Sequence, residues 1–126
     1  MPAYCPAFEQ ILPGADFNDF NGKGFSYGFD VLEEMANTAG VTPLSGFFDN
    51  SASYGEDLDP PDFEPGPTEW FASVEGLETV NALLRAVTAG ADVPERELVL
   101  EDLEDFRRFL EIAEPLKIRF HMWWDV

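Results

Sequence analysis

Only one of the 126 residues is cysteine, Cys5, and only one is histidine, His121. A lone cysteine can form no intramolecular disulfide and supports no cysteine-rich zinc site. Bases are scarce as well: seven lysines and arginines stand against 25 aspartates and glutamates, a formal charge of −18 at pH 7. Without clustered Lys and Arg there is no footprint for nucleic-acid phosphates, and the charge disfavours anionic membrane surfaces. No run approaches the roughly 20 apolar residues of a membrane-spanning helix. The N-terminus shows no basic region ahead of an apolar stretch, and its first base is Lys23. No secretory signal is therefore expected, and a soluble cytoplasmic protein is the default.

What is present argues for a folded globule. Hydrophobic residues make up 45% of the chain and aromatics 14%, and disordered chains lack such a share. The length suits one domain with a real core and is too short for two of ordinary size.

The organising stretch is the last third, Trp70 to Val126. Leu77, Val80, Leu84 and Val87 recur at helical spacing, which predicts a helix over 73–89 with Ser73 as its cap and Gly90 as its stop. Val99, Leu103, Phe106, Leu110 and Ala113 step by four, three, four and three. That spacing predicts a second helix over 95–113, introduced by Asp92 and Pro94 and closed by Pro115, with an apolar stripe on one side. Its charged side offers Glu104 to Arg108 and Arg107 to Glu111 at i,i+4. Asp102, Asp105, Glu101 and Glu104 read as part of the same solvated face.

After Pro115 the period changes to two. Ile118, Phe120, Met122, Trp124 and Val126 share one face of a predicted strand over 117–126, while Arg119, His121, Trp123 and Asp125 share the other. One strand cannot satisfy its own backbone, so a partner must lie upstream. Tyr4, Cys5, Ala7 and Phe8 suit a short edge strand. A short helix is expected over 30–38, with Asp30 and Glu33 at capping-box spacing and Gly40 as its end. The uncharged stretch Val41 to Phe48 reads as an irregular or singly turned segment tucked against the core. The chain thus reads as a single α+β domain, with two or three helices on one face of a small, mainly antiparallel sheet that includes the C-terminal strand. An all-α bundle with an extended tail is the alternative.

Residues 49 to 69 carry seven acids, no base, and Pro60, Pro61, Pro65 and Pro67, the composition of a long acidic surface loop. Its acids do not make a calcium loop. Counted from Asp49, Tyr54 stands where the EF-hand pattern requires glycine, and Pro60 where the last carboxylate belongs. Gly22, Gly24 and Gly28 around Lys23 match neither the dinucleotide nor the P-loop spacing and read as a turn. No cofactor and no metal is expected. Histidine is the residue type whose charge changes nearest neutrality, and His121 is the only one, yet Asp125 lies roughly 13 Å along the same strand, too far for a dyad. Trp123, beside Arg119 and His121, combines the residue types of an interface anchor, although a helix packed over that face would bury the same group with no partner.

Val41-Thr42-Pro43-Leu44 with Phe47, Trp70-Phe71 with Glu75-Gly76-Leu77 and Thr79-Val80, Leu100-Glu101-Asp102-Leu103, and Ile118-Arg119-Phe120-His121 together resemble small acidic bacterial proteins of uncharacterised function. The resemblance covers residues 41 to 126 and implies no activity, cofactor or catalytic residue. On the residues themselves the expected function is a small acidic binding or inhibitor module of the immunity or regulatory kind, meeting a basic protein partner through Asp57, Asp59, Asp62 and Trp70. A hydrolase-like enzyme using His121 is the alternative, and pairing of two copies through the C-terminal strand with Trp123 outward is a separate expectation.

Overall fold

The first and last elements of the chain pair with each other. In the computed structural model, which describes residues 3–15, 20–49 and 69–125, β1 (Ala3–Phe8) runs antiparallel to β2 (Phe120–Asp125), in register from Ala3 opposite Asp125 to Phe8 opposite Phe120. Tyr4 turns its N–H away from β2 to the Gly22 carbonyl. By the alternation of antiparallel ladders, Pro6 two residues on also faces away, so its missing N–H costs the pairing nothing. Between the strands come α1 (Lys23–Tyr27), α2 (Phe29–Ala39), a 3-10 turn (Leu44–Phe47), α3 (Ser73–Thr88) and α4 (Arg96–Ala113). The chain is a single α+β domain, its helices packed on a two-stranded ribbon that includes the C-terminal strand.

The core is built around Phe120. Its ring lies 5.0 Å from Phe47, 5.5 Å from Phe106, 6.1 Å from Phe8 and 6.4 Å from Phe71, centroid to centroid. Strand alternation aims it, Met122 and Tyr4 at the helices, and all three are fully buried. A helix sits directly on that ring because Gly76 has no side chain. A Cβ there would come within 2.8 Å of Phe120 and 3.0 Å of Leu110. Phe8, Phe20 and Phe109 continue the aromatic layer toward Leu12, Ala113 and Ile118.

Several local expectations give way to tertiary contacts. Ser73 is the first residue of α3, not its cap, and its hydroxyl donates to the Ile118 carbonyl at 2.6 Å, tying the helix start to the approach to β2. Asp30 and Glu33 form no capping box. Gly28 precedes α2, and Glu33 instead accepts from Ser45 N–H at 2.8 Å and Ser45 Oγ at 3.0 Å, holding the 3-10 turn to the helix. Arg108 pairs with Asp105 at 3.3 Å rather than with Glu104, whereas Arg107 and Glu111 do meet, at 3.7 Å. The strand starts at Phe120, not Lys117, because residues 114–117 are a turn. There Lys117 takes φ 57°, and Ile118 N–H reaches back to the Ala113 carbonyl. Gly40 and Gly90 do end their helices, at φ 76° and 107°.

Candidate interaction face

Arg119, His121 and Trp123 alternate with the core residues of β2 and so emerge on the opposite side of the ribbon, with Ala7 opposite His121 and Cys5 opposite Trp123. Their environments differ. Arg119 is committed to a bidentate clasp on Glu9, with Nε to Oε1 at 3.1 Å and Nη2 to Oε2 at 3.0 Å, while its own backbone N–H donates to Oε1 at 3.0 Å. These hydrogen bonds hold the Glu9 carboxyl below its usual value. The pair locks the ribbon one residue past the last strand pair, where Glu9 N–H meets the Arg119 carbonyl.

His121 is buried, and its ring lies 4.9 Å from Trp70. Its Nδ1 is 3.2 Å from the Met122 carbonyl, a contact that is a hydrogen bond only with the proton on Nδ1. The outer edge of β2 is occupied as well. Phe71 and Phe120 exchange both backbone hydrogen bonds, Asp49 N–H donates to the Met122 carbonyl, and the Asp49 carboxylate accepts from Glu69 N–H. The structure thus gathers Trp70, His121, Asp49 and Glu69 at one place, where the chain leaves the described residues and returns to them. Trp123 lies next along the same face, half-buried. Asp57, Asp59 and Asp62 lie outside the described residues, as does the rest of the acidic stretch between Asn50 and Thr68. β2 is therefore no open edge at Phe120 and Met122, contrary to the premise of strand pairing between two copies.

Cys5, across from Trp123, is a half-buried thiol pushed up to about 12 by burial and by the charges of Asp125 and Asp102. It stays protonated and is a poor nucleophile. Among the described residues no group of three or more His, Cys, Asp or Glu is placed to hold a metal ion, and no described helix is long and apolar enough to cross a membrane.

The residue that sequence reasoning misplaced is Asp102. It does not project from an exposed face: it is fully buried on α4, where Oδ1 accepts from Gly22 N–H at 3.2 Å and Oδ2 from Phe25 N–H at 3.0 Å. One carboxylate thereby serves the first turn of α1, a helix with no side-chain cap of its own. Burial raises its carboxyl to about 6 against the opposing pull of those N–H groups. Of the three glycines expected as a turn, Gly22 and Gly28 instead flank α1 and Gly24 lies within it. A Cβ on Gly24 would lie 2.2 Å from the Leu98 carbonyl oxygen, so α1 rests on the α4 backbone. The signal was in the spacing. Asp102 follows Val99 by three and precedes Phe106 by four, which puts it on the apolar stripe rather than among the acids beside it.

The chain matches no family model, no curated protein and no solved structure.

Proposed function

We propose that the protein is a small acidic binding module, of the immunity or regulatory kind, that recognises a basic protein partner. The observation that carries this is how the cations are spent. Arg108, Lys117 and Arg119 each hold an acid at 3.0 to 3.3 Å, and Arg96 donates to the Val87 carbonyl. The acids greatly outnumber them, and Glu34, Glu75, Glu78, Glu97, Glu101 and Glu104 all stand exposed. Such a surface speeds encounter with an oppositely charged one.

Two features support contact beyond attraction at a distance. Asp49 and Glu69, the two described ends of the acidic stretch, are joined by a hydrogen bond next to Trp70, whose ring lies against His121, so an aromatic group stands beside them. A recess of about 350 Å³ between α2 and α3 has walls of Val31, Met35 and Ala86 and Glu34 as its one charged lining residue. That combination suits the aliphatic stem and charged head of a lysine or arginine.

The test is capture from the native host's lysate at low salt, repeated at high salt and with Asp57, Asp59 and Asp62 changed to Asn. A second variant, with Glu97, Glu101 and Glu104 changed to Gln, carries the same charge loss on α4. A specific basic partner lost at high salt and with the Asn variant, but kept by the Gln variant, supports the reading. Absence of any partner at low salt overturns it. The enzyme reading finds less support, since the contacts described for His121 are a carbonyl and an indole ring.

A further inference from the structure

A recess of about 440 Å³ lies between α3 and α4, lined by Asn81, Leu84, Arg85, Thr88, Ala89 and Arg107. Two guanidiniums, a carboxamide and a hydroxyl are among these residues, and no carboxylate is. In so acidic a chain the default place for an arginine is beside an acid. Arg85 departs from it: its helical neighbours three and four residues away are Asn81, Ala82, Thr88 and Ala89. Nor does the end of α3 call for its charge. The carbonyls of Arg85, Ala86 and Val87 accept from Ala89, Ala91 and Gly90 N–H, and Arg96 Nη1 adds a further bond to Val87 at 2.6 Å. Three of the carbonyls that would attract a cation there, and repel an anion, are thus already engaged. Arg107 comes from the facing helix, and its contact with Glu111 at 3.7 Å is longer than a hydrogen bond.

We propose that this recess binds a phosphate group between Arg85 and Arg107, with Asn81 and Thr88 as neutral donors and Leu84 and Ala89 against the carbon part of a small phosphomonoester. Guanidinium forks match phosphate oxygens in pairs, and two forks from facing helices grip the group from opposite sides. The overall negative charge opposes any anion at long range, but at physiological salt it is screened beyond about 8 Å, while the two arginines act in contact.

The experiment is an NMR titration of the full chain with sodium phosphate and, separately, phenyl phosphate, each against sodium chloride at equal ionic strength. Saturable shifts are expected at the Asn81 and Thr88 amides and at the Nε of Arg85 and Arg107. Arg85→Gln and Arg107→Gln should each weaken binding about tenfold, with Arg108→Gln unchanged as the control. Tighter binding of phenyl phosphate assigns the ester, and equal binding removes the role of Leu84 and Ala89. Chloride giving the same shifts, or Arg85→Gln leaving the phosphate response intact in an otherwise unchanged spectrum, overturns the site.

Discussion

Asp102 on α4 accepts the backbone N–H of Phe25 on α1 at 3.0 Å, across 77 residues of sequence. The bond joins two elements that local propensity would not hold together, because α1 has five residues and cannot persist alone. Removing the carboxylate with Asp102→Ala leaves the N–H groups of Gly22 and Phe25 buried without an acceptor. The expected loss is about 2–4 kcal/mol, read from urea unfolding. A change below about 0.5 kcal/mol would show that the bonds carry no stability.

The same carboxylate gives stability an unusual pH dependence. Its folded value, raised to about 6, exceeds the unfolded value of about 3.9. The part of its contribution that comes from the raised value is therefore fully present below pH 4 and is lost as pH rises through 6, while the ionised carboxylate still accepts the Gly22 and Phe25 N–H groups. Acidification also relieves repulsion across the whole chain, so wild type must be compared with Asp102→Asn, which carries the rest of the charge. The wild type should gain about 2 kcal/mol relative to that variant between pH 7 and pH 4.5. Parallel stability curves would contradict a raised carboxyl.

Two glycines separate backbone contact from side-chain contact. A Cβ on Gly24 meets the Leu98 carbonyl oxygen at 2.2 Å, and one on Gly76 meets the Phe120 ring at 2.8 Å. A ring can tilt, whereas a helical backbone moves only with the whole of α4. Gly24→Ala should thus cost about 3 kcal/mol or more, and Gly76→Ala about 1–2 kcal/mol, since alanine recovers part of the loss through helix propensity. Thermal and urea unfolding of the two variants rank them, and the reverse order would mean that α1 yields more easily than the aromatic core.

The elements legible in the sequence are those whose signal is periodic and long. The stripe from Val99 to Ala113 and the alternation from Ile118 to Trp124 each repeat several times, so burial leaves a pattern that no single residue can disguise. What was not legible is the set of polar side chains whose partners are distant in sequence. Ser73, Glu33 and Asp102 all have the composition of local caps, and each bonds instead to a segment 12 to 80 residues away. The candidate face was legible in part. Alternation gives the side on which Arg119, His121 and Trp123 emerge, but not that Glu9 takes Arg119 or that Trp70 covers His121, because both partners arrive from loops.

His121 carries a tautomer expectation of its own. The Met122 carbonyl can only accept, so at 3.2 Å from Nδ1 it favours the proton on that nitrogen. Long-range nitrogen–proton correlation spectra of the neutral ring should place the proton on Nδ1. A proton on Nε2 would mean that the ring is held by Trp70 and its strand neighbours without the carbonyl.

Association through the C-terminal strand meets an obstacle at the outer edge of β2, which Phe71 and Asp49 already occupy. A second copy adding to the outer edge of β2 would have to displace Phe71 from Phe120 and Asp49 from Met122, giving up backbone bonds at both places. It would also bring two chains of charge −18 together, which opposes association most strongly at low salt. The inner edge offers no better route, since β1 fills it and Tyr4 is in turn bonded to Gly22. Sedimentation of wild type and Trp123→Ala at equal concentration should therefore give the same monomeric profile at low and at physiological salt. A dimer in the wild type that Trp123→Ala abolishes would show that the half-buried indole, and not the strand edge, is the contact between copies.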